Sequence, residues 1–170
     1  MRHATQTCAA FSLIETVISV GLVGSLMVAA MNVVGASEMS RQKGVNRSTG
    51  LMLAEDLMSE VLAMPYRDPE DGTSHFGNEP TDPSTSVRSL FDDVDDFHGW
   101  AASPPKEPDG TVRPGFANWE RRVLVQRVHA NNPAMPMGSE TGVKWVIVIV
   151  ERDGVEVCRL HAHRADIDPG

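Results

Sequence analysis

The chain has 170 residues and a formal net charge of −8. This length fits one domain plus a membrane segment, and the acidic balance argues against nucleic-acid binding by simple electrostatics. Of its two cysteines, Cys8 lies near the N-terminus and Cys158 near the C-terminus. We interpret Cys158 as a small strand residue rather than a reactive thiol, and cysteine usage does not identify the redox compartment.

An apolar segment extends from residue 11 to about residue 36 and contains a single carboxylate, Glu15. It exceeds the ~20 residues that cross a bilayer, and it therefore predicts a membrane-spanning helix. A carboxylate at the centre of such a helix costs roughly 2.5–3.5 kcal/mol, which makes Glu15 a candidate functional residue even near the helix start. Small residues at intervals of four would form a face for close helix packing. They are Gly21, Ser25 and Ala29.

The segment opens with the motif Phe-Ser-Leu-Ile-Glu at residues 11–15, followed by Thr-Val-Ile. This motif resembles that of type IV pilins and type II secretion pseudopilins, which carry a short leader cut before a Phe. The resemblance implies that residues 1–10 are a leader, and that a prepilin peptidase cuts between Ala10 and Phe11 and methylates the new amine of Phe11. The family usually has Gly where this chain has Ala10, a difference that bears on the efficiency of processing.

The resemblance also implies a role for Glu15 in assembly. In a filament the N-terminal helices stack in an apolar core, where a buried carboxylate must find a cation or be protonated. Its partner would be the free amine of Phe11 on a neighbouring subunit, and this pairing would fix the axial register. The alternative is a Glu15 that lies in the headgroup region and needs no partner. Some tip pseudopilins lack this Glu, so its presence favours a position below the tip.

Residues 37–64 are predicted to continue the helix as an amphipathic segment that ends before Pro65. A helix over residues 11–63 would be about 80 Å long at 1.5 Å per residue. Gly44 and Gly50 are expected to loosen it locally. Apolar residues recur at spacings of three and four: Leu51, Leu53, Ala54, Leu57, Met58, Val61 and Leu62. The interleaved polar face is Glu55, Asp56, Ser59 and Glu60.

Residues 65–115 are rich in Pro, Gly, Ser, Thr and Asp, and are predicted to be an acidic loop region. Four carboxylates lie within five residues there: Asp92, Asp93, Asp95 and Asp96. Oxygen ligands in a loop suit Ca²⁺, although the spacing is not that of an EF-hand. We favour a solvated acidic turn that the flanking aromatic residues Phe91, Phe97 and Trp100 hold to the core. The stretch also resembles one in some minor pilins, including those of the mannose-sensitive haemagglutinin system.

Residues 116–170 are predicted to form an antiparallel β-sheet. Alternation over residues 119–128 indicates one strand, the β-branched run 143–151 a central strand, and residues 155–163 a returning strand. Asp153-Gly154 between the last two is typical of a two-residue hairpin turn. The fold class predicted is therefore α+β, with a long N-terminal helix packed on a small antiparallel sheet of at least three strands, as in pilins.

Histidines on the predicted strands are a second candidate metal site. His161 and His163 would share a face, with His129 on a neighbouring strand, and such imidazoles could ligate Zn²⁺. No Cys or carboxylate completes the set in sequence, so we favour a surface pair.

The basic pair Arg121-Arg122 is expected to flank the sheet or to meet acidic neighbours in a filament. No spacing of nucleophile and base indicates catalysis, and the chain is not expected to be an enzyme.

Together with the resemblance, these features predict a structural minor pilin or pseudopilin. It would be a single-pass inner-membrane precursor with a periplasmic C-terminal domain, then a subunit of a type IV pilus or a type II secretion pseudopilus. The partners implied are prepilin peptidase, other pilin or pseudopilin subunits and the inner-membrane assembly platform. No cofactor is expected apart from the candidate calcium. One alternative is a membrane-anchored periplasmic binding or enzymatic domain that does not assemble. Another is a secreted domain that begins near Ser37 after removal of a signal peptide.

Overall fold

The computed structural model describes residues 12–69, 76–77 and 87–167. Within these ranges the chain forms one long helix, α1 (Leu13–Ala63), followed by short 3₁₀ turns at Arg88–Leu90 and Asp95–Phe97. The strands are β1 (Ala101–Ala102), β2 (Trp119–His129), β3 (Asn132–Pro136), β4 (Val143–Arg152) and β5 (Val155–Ala165). By its internal contacts the chain divides into two compact units, Met1–Gly44 and Val45–Gly170.

Helix α1 confirms the long helix predicted from the sequence. Its first turn is closed by backbone hydrogen bonds from Glu15 and Thr16 to the Ser12 carbonyl. It ends two residues before Pro65, because proline has no N–H and its ring clashes with the preceding turn. Every residue from 12 to 45 is exposed, and this helix is long and apolar enough to span a membrane, with a mean hydropathy of 2.2 in its most apolar window.

The sheet has five strands, in the order β1-β2-β4-β5, with β3 paired to β2. All of these pairs are antiparallel. The turn between β4 and β5 places Asp153 at φ 52° and Gly154 at φ 74°. Two consecutive positive φ values are what a type I′ hairpin turn requires, so the hairpin predicted from Asp-Gly is confirmed.

The core lies between the second part of α1 and one face of the sheet. Leu53, Leu57 and Val61 are fully buried on the helix. The sheet contributes alternate residues, because side chains at even spacing along a strand share a face: Val123, Val125, Val146, Val148 and Val150. The fold class is thus confirmed as α+β, with a long N-terminal helix and an antiparallel sheet in a pilin-like architecture.

The region between helix and sheet has more structure than the sequence predicts. Its aromatic residues Phe91, Phe97 and Trp100 are buried in the core, and β1 pairs with β2. Strand β3, which contains two prolines, is not predicted from the sequence. Every residue of β3 is exposed, and proline is tolerated in strands at such edges.

Two residues of the predicted polar face of α1, the half-exposed Asp56 and the partly buried Glu60, pair with buried arginines. Arg88 is 1% exposed and pairs with both carboxylate oxygens of Glu60, at 2.8 and 2.9 Å. Arg121 is fully buried and pairs with Asp56 at 3.2 Å. On the other face of the sheet its neighbour Arg122 pairs with Glu151. Arg121 therefore does not flank the sheet as expected but lies between the sheet and the helix.

The close approach of α1 to β5 predicts opposite effects of two Gly→Ala substitutions in one helix. A Cβ added at Gly50 would lie 2.9 Å from Val157 Cγ1. Overpacking costs roughly 1–3 kcal/mol, which exceeds the ~1 kcal/mol that Ala gains over Gly in a helix. We therefore expect Gly50→Ala to lower the unfolding midpoint of the detergent-solubilised chain, followed by tryptophan fluorescence.

Gly44→Ala is the matched control. Apart from its two chain neighbours and the nearby backbone of its own helix, no heavy atom of the described chain lies within 4 Å of its Cβ position. It should leave the midpoint unchanged or raise it. Equal stabilisation by both substitutions would contradict the packing of α1 on β5.

Candidate functional site

The first candidate site is the N-terminal end of α1. Ala10 and Phe11, the predicted processing site, lie outside the described residues. Glu15 lies in the first turn of the helix, where the helix dipole favours a carboxylate, and its side chain is exposed. It is the only Asp, Glu, Lys or Arg between residues 12 and 37. A single charge thus marks the start of an otherwise uncharged helical surface.

The apolar surface of this half of α1 extends around the whole helix. Its large apolar side chains between Leu13 and Val34 are 56% to 82% exposed. The hydroxyl of Ser25 donates to the Leu22 carbonyl at 2.9 Å, so its polarity is satisfied within its own helix. A helix that is apolar all round is typical of membrane spans and of helices buried among other helices.

The acidic cluster of residues 92–96 is the second candidate, and most of it is buried. Asp93 Oδ1 accepts hydrogen bonds from the backbone N–H groups of Asp95 and Asp96, at 2.7 and 3.1 Å. Asp96 Oδ2 in turn accepts from the N–H of Asp92 at 3.0 Å. Side-chain acceptors of this kind stabilise turns by satisfying backbone donors. The expected solvated turn is therefore wrong for Asp93, Asp95 and Asp96, although the aromatic anchors are present.

A lysine from β4 completes this cluster. Lys144 Nζ forms an ion pair with Asp95 Oδ1 and donates to the backbone carbonyl of Tyr66. Asp93 Oδ2 lies 4.0 Å from the same nitrogen, and the ring centroid of Tyr66 lies 4.4 Å from it. The side chains of Lys144 and Asp95 are each 1% exposed. Sequence reasoning missed Lys144, whose one signal is a cation inside an apolar, β-branched run.

Burial changes the acidity of the groups around this lysine. Burial, with the nearby charge of Asp95, raises the pKa of Asp93 to about 7, against the opposing effect of Lys144. Burial and the hydrogen bond to Glu140 raise the pKa of Tyr66. Burial alone would raise the pKa of Glu140, but hydrogen bonds from Tyr66 and from backbone N–H groups outweigh it and lower the pKa. Asp93 can therefore exchange a proton near neutral pH.

The histidines form a ring stack rather than a ligand set. Trp145 lies opposite His163 on the paired strand, and its ring centroid is 5.3 Å from that of His161 and 6.2 Å from that of His163. Both histidines are exposed, as the predicted surface pair requires. His129 Nδ1 accepts a hydrogen bond from the N–H of Asn131. Among the described residues, no group of three or more His, Cys, Asp or Glu side chains is placed to hold a metal ion.

Comparisons of the chain with protein-family models, with curated proteins and with solved structures find no match.

The hydrogen bonds of the acidic cluster predict that calcium does not stabilise the fold. Three oxygens of the cluster, Asp93 Oδ1, Asp95 Oδ1 and Asp96 Oδ2, already accept from backbone N–H groups or pair with Lys144. A cation that bound these oxygens would have to displace those donors. We expect the thermal unfolding midpoint to be the same in excess Ca²⁺ and in excess chelator. The calcium site considered from the sequence would be established if Ca²⁺ raised the unfolding midpoint, if Mg²⁺ did not, and if Asp92→Asn reduced the effect of Ca²⁺.

Proposed function

We propose that this protein is a structural subunit of a type IV pilin-like filament, either a minor pilin or a pseudopilin. The observation that carries the proposal is helix α1 (Leu13–Ala63), whose first half is apolar and exposed all round and whose second half is part of the core of a small domain. The N-terminal motif at residues 11–15 supports the same conclusion. In this proposal the chain catalyses no reaction of another molecule.

The exposed half of α1 needs an apolar environment. Each fully buried Val, Leu, Ile or Met side chain contributes about 1.5–3 kcal/mol, and this segment carries a continuous set of them. A bilayer supplies that environment to the precursor, and the helices of neighbouring subunits supply it in a filament. The same surface thus serves two successive states, with residues 45–167 outside the bilayer in both.

Glu15 favours a filament subunit over a plain membrane anchor. A simple anchor has no requirement for a carboxylate near its start, and any apolar residue would serve. In a filament the carboxylate passes into an apolar surrounding, where it must be neutralised. The amine of Phe11, freed by cleavage after Ala10, is the cation that processing itself would create. Prepilin peptidase, other subunits and an inner-membrane assembly platform are the partners this route requires.

The N-terminus of the mature protein tests the processing step. We expect mass spectrometry of the protein from cells with their own peptidase to find a chain that begins at methylated Phe11. A chain that begins near Ser37 would make the apolar segment a discarded signal peptide. An intact Met1 would indicate an unprocessed membrane anchor. Either of these two results would contradict the proposal.

Substitution of Glu15 tests the assembly step. Glu15→Ala should leave membrane insertion unchanged and reduce incorporation into sheared filaments at least tenfold, because a lost charge pair in an apolar core is worth several kcal/mol. The matched control is Glu38→Ala on the same helix, since Glu38 is 69% exposed beside Arg41. Equal incorporation of both variants would show that Glu15 has no role in assembly.

A further inference from the structure

We propose that Lys144 and Asp95 join in an intramolecular isopeptide bond, formed by the chain itself, between Lys144 Nζ and Asp95 Cγ. This inference is independent of the filament proposal, because it concerns only residues of the C-terminal unit. It rests on the buried triad of Lys144, Asp95 and Asp93, in which an amine and two carboxyl groups meet away from solvent.

The geometry brings the reacting groups together without help from another molecule. Lys144 comes from the central strand β4, and Asp95 from a 3₁₀ turn 49 positions earlier in the chain. Backbone hydrogen bonds to Asp93 fix the turn that presents Asp95. Holding two reactants in one geometry removes much of the entropic barrier to their reaction.

The ion pair alone leaves part of Asp95 unsatisfied. Asp95 Oδ2 is buried and has no hydrogen-bond partner among the described residues, although buried polar atoms nearly always have one. Amide formation removes one carboxylate oxygen and both formal charges from this site. The remaining Nζ–H can keep the hydrogen bond that Lys144 already donates to the Tyr66 carbonyl.

The reaction is a balanced condensation. A proton moves from the Lys144 ammonium to the carboxyl group of Asp95, the neutral amine attacks Asp95 Cγ, and the N–C bond forms. The C–O bond to one carboxyl oxygen then breaks, and that oxygen leaves as water with two protons that began on Nζ. No oxidant, reductant or cofactor takes part. Exclusion of solvent by the aromatic core disfavours the reverse hydrolysis.

Asp93 is placed to carry the protons. Its Oδ2 lies 4.0 Å from Lys144 Nζ, and its Oδ1 is held by backbone N–H groups. A carboxyl group whose pKa lies near 7 can accept a proton from nitrogen and return it to the departing oxygen at neutral pH. The product would link the acidic loop covalently to the central strand, so that this end of the domain could not separate from the sheet.

Peptide mapping of the full chain, purified from membranes in detergent, tests the bond. Trypsin does not cleave after an acylated lysine, so we expect peptide 89–106 joined to peptide 128–152, lighter than their sum by one water molecule. Separate peptides, with cleavage after Lys144, would show an ion pair only and overturn the proposal.

Three variants assign the roles, and a fourth serves as the control. Lys144→Arg should abolish the joined peptide, whereas Lys43→Arg, at an exposed lysine of α1, should leave it at the wild-type amount. Asp93→Asn should slow the formation of the joined peptide at least tenfold while both reacting groups remain, with folding checked by circular dichroism.

Asp95→Asn should give a joined peptide of identical mass by releasing ammonia. A joined peptide in Lys144→Arg would overturn the assignment of the bond, and wild-type rates in Asp93→Asn would overturn the role of Asp93.

Discussion

The packing of the last third of α1 on the inner face of the sheet is the contact on which the rest of the structure depends. Leu53, Leu57 and Val61 are fully buried there, and the helix passes close enough to β5 for Gly50 to have no room for a side chain. Below α1 the valines of β2 and β4 form the other wall of the core. The aromatic residues of the loop can close the end of this core because helix and sheet already define its sides.

Buried cations fix how these layers are aligned. Arg88 links the loop to the helix through Glu60, Arg121 links β2 to the helix through Asp56, and Lys144 links β4 to the loop through Asp95. Buried ion pairs contribute little net stability, since desolvation offsets their attraction. An unpaired buried charge is costly, however, so alternative alignments of the layers are disfavoured. Apolar packing thus brings the layers together, and the ion pairs select one arrangement of them.

Local patterns in the sequence account for the elements, but not for the contacts between them. Helical periodicity, strand alternation and the Asp153-Gly154 turn predict α1, β2, β4 and β5. These elements are predictable because each depends on residues that are close together in the sequence. The charge pairs are separated by 28, 65 and 49 positions, and no local pattern identifies the partner of a charge. For this reason the pairing of Asp56 and Glu60 with buried arginines is not predicted from the sequence. The acidic cluster was visible in the sequence, whereas its burial against Lys144 was not.

Buried charged side chains have partners in the C-terminal unit, whereas Glu15 on the apolar part of α1 has none among the described residues of that segment. This difference bears on function. In the C-terminal unit each buried cation has a carboxylate supplied by another element of the same unit. In the N-terminal half, Glu15 is exposed on a helix whose other side chains require an apolar surrounding. That surrounding would bury the carboxylate and create a need for a cation that the described helix does not supply before Arg41. In the proposed filament, therefore, the apolar helix is the part of the molecule whose carboxylate would need a cation from a second subunit.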